Sequence, residues 1–587
     1  MKFLTSITLC LLATQTVFGQ RLAVPPVDNS TYTGKAMFGY QGWFAHPDDN
    51  SPRPNYWHYG NMDVISRDNL NIEMFPDLRE MCSSEKYPTA YTHPNGETAY
   101  VFSSGNKQTV MRHMKWVRDY NTDGVFMQRF ISEYNDRVVM AFRDSVTTAV
   151  MEGCEKYGRV FSIMYDGVDR NLDKIKEDWM HMVDDLGILN SDSYLQHEGR
   201  PLVALWGFTF YSGDATVEAL EDLIDWFHNS APPQYQASIK LGLNDNWFTK
   251  SQEWLDAFAK VEVISPWSVG RFSNKTGYNS YADNQLRKGS SWCINHDILF
   301  VPVLWPGFSW HNLKDGEPKN QIPRDGGDFF WMQVVGAYNN HFKTYYFAML
   351  DELDESTAFF KTAENSAQAP AQQYWLNLDA DGTTLPSDWY LRCAGEAAEI
   401  LRGNINISYT LGTPAEGIMT IIPDDNKCSL TFIFPDFENE NKIEISLDGG
   451  TTYPYSTSDD VGSYVIPGLQ DGRYDIFVRH PGSEAVPMGP SCINSGCTSS
   501  GNRQLVNSAN SAIKIFPNPL SSGFEIKGID DSYQIEICDV SGKVYRSFTY
   551  DDVHSMIDIS TLPDGIYLVT MTNEHNRFVD RIIKMHD

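Results

Sequence analysis

Tyr345–Lys361, with the sequence YYFAMLDELDESTAFFK, joins a strand-like apolar run to a dense acidic cluster. The apolar run stops at Asp351–Glu355, DELDE, where every residue except Leu353 carries a carboxylate. Such carboxylates repel one another unless a cation, a bound proton or a sugar hydroxyl lies among them. At the end of a buried strand, this cluster indicates a functional site more than a solvated face.

The chain around this cluster alternates short β-branched or aromatic runs with amphipathic helical stretches, from Lys35 to about Glu352. Strands are predicted at Ala36–Tyr40, Gly124–Arg129, Val160–Tyr165, Pro201–Leu205, Ser238–Leu243, Val261–Ser265, Leu299–Leu304 and Tyr345–Leu350. Helices are predicted at Gln108–Tyr120, Asn135–Tyr157, Leu172–Leu186, Thr216–His228 and Gly327–Tyr338, with a closing helix at Ser387–Leu401. This alternation predicts an α/β fold, a (β/α)8 TIM barrel, followed by two small all-β sandwich domains.

The domain boundaries follow shifts in composition along the 587 residues. Residues 1–19 are predicted to be a signal peptide, because Lys2 precedes a short apolar stretch and small residues precede the cleavage point. The barrel is predicted over residues 20–404, with a long excursion at 44–106 that forms a wall of the cleft. A β-sandwich accessory domain is predicted at 405–482, a Ser/Gly/Asn/Pro-rich linker at 483–512 and a second all-β module at 513–587.

Charge and hydropathy limit the partners of this protein. The formal net charge is -30 and the pI is about 4.8. A surface this acidic repels phosphate backbones. We therefore expect no nucleic-acid partner. No apolar run approaches the roughly 20 residues of a spanning helix, so we expect no transmembrane segment.

Cysteine and histidine usage predicts no metal or cofactor. After removal of the signal peptide, eight of the nine cysteines remain, and only Cys492 and Cys497 lie close together. A Cys492–Cys497 disulfide is one possibility, and the other cysteines are expected to be small buried hydrophobes. The 14 histidines show no zinc-binding H-E-x-x-H spacing.

The last module carries a motif set of its own. Its segments are Phe516–Pro519 (FPNP), Asp539–Tyr545 (DVSGKVY), Leu562–Val569 (LPDGIYLV) and Arg581–Lys584 (RIIK). These segments resemble the C-terminal sorting domain of the type IX secretion system. The resemblance implies that the secretion machinery is a partner, and that the protein is secreted or held on the outer-membrane surface of a Gram-negative bacterium.

The ends of the predicted strands point to a carbohydrate ligand, because chemistry in such barrels lies at the carboxyl ends of the strands. Trp is present at five of the eight predicted ends, and Trp rings stack on the apolar faces of sugars. Amide and guanidinium groups at other ends can bind sugar hydroxyls. The predicted substrate-binding residues are Trp43, Gln128, Arg129, Tyr165, Asp166, Trp206, Asn244, Trp267, Trp305 and Asp351.

The predicted catalytic residues are Glu352 and Glu355. Their spacing places them on one face of a helical turn, and glycosidic cleavage usually needs two carboxyl groups, one of which donates a proton. Burial and mutual repulsion would raise one pKa so that a proton is held near neutral pH. Asp351 could instead pair with Arg129 or cap a backbone turn, and Asp354 is expected to face solvent.

The barrel region also resembles a known group of enzymes. The resemblance rests on Gly39–Phe44 (GYQGWF), Asp123–Phe130 (DGVFMQRF), Ala348–Glu355 (AMLDELDE) and Leu378–Gly382 (LDADG). These segments resemble bacterial proteins of glycoside hydrolase families 71 and 99, over about residues 35–402. Family 99 contains endo-acting α-mannosidases and α-mannanases, and family 71 contains α-1,3-glucanases.

The family 99 resemblance implies a role for each glutamate. Glu352 would be the base that deprotonates the sugar 2-hydroxyl, and Glu355 would protonate the departing oxygen and later activate water. Leu353 stands where family 99 typically has Trp. The alternative implied by family 71 is an inverting α-1,3-glucanase, in which water attacks directly.

Two interpretations outside glycoside hydrolysis stay open. A glycan-binding surface protein could keep the barrel and its Trp-lined cleft without catalysis. The acidic cluster could also bind calcium, as could Asn377–Asp388, although Pro386 favours a turn and helix cap there. The accessory sandwich either binds glycan or spaces the barrel from the cell surface.

Overall fold

The computed structural model describes residues 24–493 with gaps at 54, 61–64, 66–68, 168–171, 209–215, 435–441 and 458–462. Beyond 493 it describes seven strand-bearing segments between 514 and 584, so the predicted signal peptide and most of the predicted linker lie outside the described residues. The chain forms two compact units. One comprises residues 1–422, 432–464 and 474–491, and the other comprises 423–431, 465–473 and 492–587.

A parallel sheet forms the centre of the first unit. Its strands are β1 (Ala36–Tyr40), β2 (Gly124–Phe130), β3 (Val160–Asp166), β4 (Arg200–Trp206), β5 (Ser238–Leu243), β6 (Val263–Pro266), β7 (Leu299–Phe300), β8 (Val303–Leu304) and β9 (Tyr345–Phe347). The order across the sheet is β7-β6-β5-β4-β3-β2-β1-β9-β8, and Gln196–His197 adds an antiparallel pair to β4. This parallel order fits a TIM-barrel-like domain.

The predicted strand Leu299–Leu304 is divided at Pro302. Leu299–Phe300 pairs with β6, whereas Val303–Leu304 pairs with β9. Proline has no N–H to donate to a ladder, so it interrupts a continuous strand. The two short pieces therefore face opposite neighbours, and together they occupy the position predicted for one strand.

Helices cover the sheet, and six of them lie at nearly the predicted positions. They are Lys107–Asp119, Arg137–Tyr157, Leu172–Asp184, Val217–Asp225, Gln252–Phe258, Lys275–Tyr281, Arg287–Asn295, Asp328–Asn339 and Trp389–Arg402, with π-helical turns at Trp226–Ser230 and Ala282–Leu286. The ends are chemically marked. Asp136 accepts hydrogen bonds from the N–H groups of Val138 and Val139, and Gly158 ends that helix with a φ of 62°.

Among its described residues, the excursion at 44–106 contains one hairpin, Tyr87–Thr92 paired with Thr98–Val101, and a short 3-10 helix at Ser83–Glu85. Its inner residues are buried against the barrel, for example Phe44, Tyr59 and Phe102. The side chain of Tyr59 donates a hydrogen bond to the carbonyl of Phe102 at 2.8 Å. The excursion is thus a packed part of the first unit, and it supplies two residues to the site described below.

Short strands follow the barrel. They are Thr420–Asp424, Ser429–Ile433, Glu444–Ser446, Tyr455–Ser456, Ser463–Ile466, Gly472–Arg479 and Val486–Ile493. Val486–Ile493 falls inside the predicted linker, so strand structure continues beyond residue 482. Within the first unit, Arg112 donates to the carbonyl of Pro490 at 3.2 Å, and Lys156 lies 2.9 Å from Asp475. These contacts attach residues 474–491 to the barrel helices.

The strands of the last module are Lys514–Phe516, Gly523–Lys527, Tyr533–Asp539, Val544–Tyr550, Ile557–Asp558, Gly565–Thr572 and Arg577–Lys584. They form a three-stranded and a four-stranded antiparallel sheet. Ile535, Ile537 and Val569 are fully buried in the core of this module.

The cysteines depart in part from expectation. Cys154, Cys293 and Cys393 are buried free thiols, as predicted. Cys82, Cys428 and Cys492 are disulfide-bonded, so the prediction that Cys82 and Cys428 are merely small buried hydrophobes is wrong. The predicted partner Cys497 lies outside the described residues.

Candidate active site

A cavity of about 620 Å³ opens at the carboxyl ends of the barrel strands. This volume is in the range of pockets that enclose small ligands. Seven of the sequence-predicted site residues line it, namely Trp43, Gln128, Asp166, Trp206, Trp267, Glu352 and Glu355. Gln41 and Trp310, which also follow predicted strands, line the cavity too. Strand-end tryptophans and carboxylates therefore line one cavity.

Asp351 holds the end of β1 beside the acidic cluster. Its two carboxylate oxygens accept hydrogen bonds from the backbone N–H groups of Gln41 at 2.7 Å and Gly42 at 2.8 Å. Gly42 has a φ of 57°, and a Cβ there would lie 2.7 Å from Val146. Asp351 is fully buried, is not among the cavity-lining residues, and caps the backbone at Gln41 and Gly42 through these two hydrogen bonds.

Glu352 is held by one neighbour on each carboxylate oxygen. The side-chain amide of Gln41 donates to one oxygen at 2.7 Å, and the hydroxyl of Thr357 donates to the other at 2.6 Å. Glu352 is 4% exposed yet reaches the cavity. Two donors fix the orientation of this carboxyl group before any ligand enters.

Asp354 is buried, contrary to the expectation that it faces solvent. It is 4% exposed, and its carboxylate lies 3.5 Å from Nδ1 of His58. His58 in turn stacks on the cavity-lining Trp43, with ring centroids 3.7 Å apart and an interplanar angle of 8°. The excursion folds over this end of the cluster, which is why Asp354 is removed from water.

Burial gives the acidic cluster unusual proton affinities. Burial raises the pKa of Asp351, Asp354 and Glu355 to about 7 each. For Glu355 the charge of Asp354 adds to this rise, whereas the indole of Trp310 and the ammonium of Lys314 oppose it. Burial, followed by the charges of Glu355 and Asp354, raises the pKa of Glu352 well above its usual range. The carboxyl groups of the cluster therefore keep their protons to a higher pH than free carboxyl groups do.

Five predicted substrate-binding residues do not line the cavity, and strand geometry explains two of them. Gln128 points into the cavity, so its neighbour Arg129 points outward, because successive side chains of a strand alternate. Arg129 makes two hydrogen bonds to Asp178, at 2.7 and 2.6 Å. Tyr165 lies opposite Arg129 in the β2–β3 register and is fully buried.

The other three lie behind or beside the cavity. Trp305 follows the divided strand and is fully buried, with its ring centroid 4.7 Å from that of Phe329. Asn244 lies just beyond β5 but is absent from the cavity wall. Asp351 is the backbone cap described above.

Residues that the sequence did not single out also reach the site. Phe130, Ser132, Arg271 and Phe308 line the cavity. Phe308 lies two residues before Trp310, so the spacing of apolar residues after β8 was an available signal. His58 belongs to the irregular excursion, where no periodic pattern points to the site.

The cavity presents polar atoms that lack partners. Among the described residues, no group hydrogen-bonds to the side-chain carbonyl oxygens of Gln41 and Gln128, although both are buried. Buried polar atoms are normally paired. These oxygens can accept hydrogen bonds from ligand hydroxyls, and the neighbouring Trp rings can stack on apolar faces.

Comparison with known proteins identifies the last module. Residues 514–585 match the family model of the secretion system C-terminal sorting domain. This domain marks proteins exported by type IX secretion in Gram-negative bacteria, to the cell surface or the extracellular space. No curated protein sequence matches the chain. No helix among the described residues has both the length and the apolar character to cross a bilayer.

Solved structures similar to this chain include glycoside hydrolases. A family 99 endo-α-mannosidase from Bacteroides thetaiotaomicron is 12% identical, with 64% of this chain and 100% of that chain covered and a TM-score of 0.47. A glycoside hydrolase-like protein is 12% identical, with 64% and 96% covered and a TM-score of 0.40. An endo-β-1,4-mannanase double mutant from Cellulomonas fimi is 10% identical, with 65% and 97% covered and a TM-score of 0.29.

Proposed function

We propose that this protein is a secreted glycoside hydrolase that cleaves α-linked polysaccharide or oligosaccharide, with α-mannan the favoured substrate. The observation that carries the proposal is the pair formed by the buried Glu352 and the half-buried Glu355, both of which line a Trp-lined cavity at the strand ends. The (β/α)8 barrel is part of the proposal, with β7 and β8 together serving as its seventh strand. The residues around 405–482 are proposed to be a spacer, which the contacts of residues 474–491 with the barrel helices support.

The chemistry assigned to the pair follows the family 99 resemblance. Glu352 takes the proton of the sugar 2-hydroxyl, and that oxygen attacks the anomeric carbon. The bond from the anomeric carbon to the departing oxygen breaks, and Glu355 gives its proton to that oxygen. Glu355 then takes a proton from water, which opens the 1,2-anhydro sugar, while Glu352 returns its proton to the 2-oxygen. The configuration at the anomeric carbon is retained.

A panel of glycans tests the proposal. The secreted protein is incubated with α-mannan, α-1,3-glucan and, as a control, β-1,4-mannan, and released sugars are quantified. We expect release from an α-linked glycan and none from β-1,4-mannan. Release of nothing, together with measurable binding of one of these glycans, would establish the glycan-binding alternative. NMR of the first product distinguishes retention from the inversion of an α-1,3-glucanase-like enzyme.

The pH dependence of kcat/KM gives a second test. The proton on Glu355 must be present for the departing oxygen to leave, and its pKa is raised from 4.5 to about 7. The proton is therefore kept up to about pH 7 and lost above it, so the alkaline limb should lie near or above pH 7. Glu352 must lose its proton, and its raised pKa places the acid limb well above pH 4.5. Because Glu352 and Glu355 interact, the two apparent pKa values of the profile describe the pair and are not assigned to one residue each.

We expect a bell-shaped profile on α-mannan, measured from pH 4 to pH 9, with its acid limb above pH 4.5 and its alkaline limb near or above pH 7. Glu177→Gln, at an exposed carboxylate that is not among the cavity-lining residues, serves as the control and should have the same profile. Maximal activity below pH 5 that disappears by pH 6 would contradict the raised pKa of the acid.

A further inference from the structure

The segment after β8 forms one wall of the cavity next to Glu355. Phe308 and Trp310 both line the cavity, with their ring centroids 4.9 Å apart. The backbone N–H of Ser309, between them, donates to the carbonyl of Glu355 at 3.0 Å. This wall is therefore joined directly to the residue proposed as the acid.

Glu73, from the excursion, fixes this segment from behind. It is fully buried, and one of its carboxylate oxygens accepts a hydrogen bond from the Ser309 hydroxyl at 3.1 Å. Its other oxygen accepts the backbone N–H of Asn312. Its own backbone N–H donates to the carbonyl of Leu353 at 2.9 Å. One buried residue thus connects the tryptophan segment to the acidic cluster.

Further bonds hold the same segment in place. The Asn312 side chain donates to the carbonyls of Ile72 at 2.9 Å and Tyr374 at 3.1 Å. The backbone N–H of Trp310 donates to the side chain of Gln321 at 2.7 Å. A rigid aromatic surface that is positioned before binding loses little entropy when a sugar ring stacks on it.

The proposed chemistry, on which this inference rests, indicates which sugar binds against the wall formed by Phe308 and Trp310. The group that protonates the departing oxygen must lie against the sugar that leaves. We infer that Phe308 and Trp310 bind the leaving sugar, and that Glu73 is the positioning residue that holds them beside Glu355. The other aromatic groups, Trp43 with Phe130 and Trp206 with Trp267, then remain for the sugar that is attacked.

Two probes separate these sides. α-Mannan carries a leaving sugar, whereas α-mannobiosyl fluoride carries only a fluoride ion in that place. Trp310→Ala should raise KM for α-mannan about tenfold, because it removes a stacking surface worth about one power of ten in affinity. The rise in KM that Trp310→Ala causes for α-mannobiosyl fluoride should be at least fivefold smaller. Trp206→Ala should instead raise KM for both substrates to a similar extent.

Glu73→Gln tests the positioning role. The amide keeps one acceptor and loses the other, so the segment loosens, and we expect the same selective rise in KM for α-mannan at a smaller size. Asp315→Asn, at an exposed residue of the same segment, is the matched control and should behave as wild type with both probes. Thermal unfolding of each variant separates this effect from a loss of folded protein.

Each outcome decides the matter. Equal penalties of Trp310→Ala on α-mannan and on the fluoride would overturn the inference and leave the proposed function standing. If the wild type cleaves neither probe, the proposed function fails. Calorimetric binding of α-mannotriose then tests whether Trp310 contacts a sugar. Weaker binding by Trp310→Ala than by the wild type would support a sugar contact at this wall, whereas equal affinity, or no binding by either protein, would overturn it.

Discussion

Glu355→Gln is expected to lower kcat on α-mannan by about a hundredfold to ten-thousandfold, the range typical of a lost general acid. The amide has nearly the same shape as the carboxyl group but carries no proton that it can give to the departing oxygen. The backbone carbonyl of Glu355 still accepts the N–H of Ser309, so the local fold is kept. Steady-state kinetics at the wild-type pH optimum measure the loss.

The leaving group separates the two glutamates. Fluoride departs without a proton, so Glu355→Gln should release the first equivalent of fluoride from α-mannobiosyl fluoride nearly as fast as the wild type. Glu352→Gln should slow that first turnover strongly, because the 2-hydroxyl then lacks its base. If the two variants lose activity equally on both substrates, the assignment of acid and base is wrong. Glu177→Gln again controls for the removal of a carboxylate.

Asp178→Ala is expected to lower the free energy of unfolding by about 3 to 5 kcal/mol, since it leaves the buried Arg129 guanidinium without its main partner. Asp178 accepts two hydrogen bonds from Arg129, and both side chains are 2% exposed. Asp144, 3.0 Å from Arg129, keeps part of the compensation, which favours the lower end of the range. Urea unfolding of the two proteins measures the difference.

A control on the same helix makes this result specific. Asp173 is 85% exposed, so Asp173→Ala should change the free energy of unfolding by less than about 0.5 kcal/mol. If Asp178→Ala and the wild type unfold with the same midpoint urea concentration, a structural role for Arg129 is contradicted. A selective rise in KM with unchanged stability would return Arg129 to the substrate-binding set.

The strand pattern was predictable because it repeats, and the site was predictable where it follows that pattern. Trp206, Trp267 and the acidic cluster come directly after strands, so their shared edge could be inferred from the order of elements. Arg129 shows the limit of this inference. One residue of displacement along a strand turns a side chain to the other face, and the sequence did not show which of Gln128 and Arg129 points inward.

The contribution of the excursion could not be predicted. His58 and Glu73 lie in chain without regular periodicity, and they reach the site through turns whose course depends on the whole packed wall. The burial of Asp354 is a consequence of the same packing. Pro302 was visible in the sequence, but its division of one strand into two pieces depends on pairing with both neighbours.

The hydrogen bonds from Gln41 and Gly42 to Asp351 join residues that are 310 and 309 positions apart in the chain. The first strand emerges from the ribosome long before its partner is made, so the acidic cluster cannot take its final arrangement until the whole barrel has been synthesised. Any fragment that ends before residue 351, or begins after residue 42, lacks one half of this support. The site thus reports on completion of the barrel, and an unfinished or clipped chain is expected to be inert toward glycans.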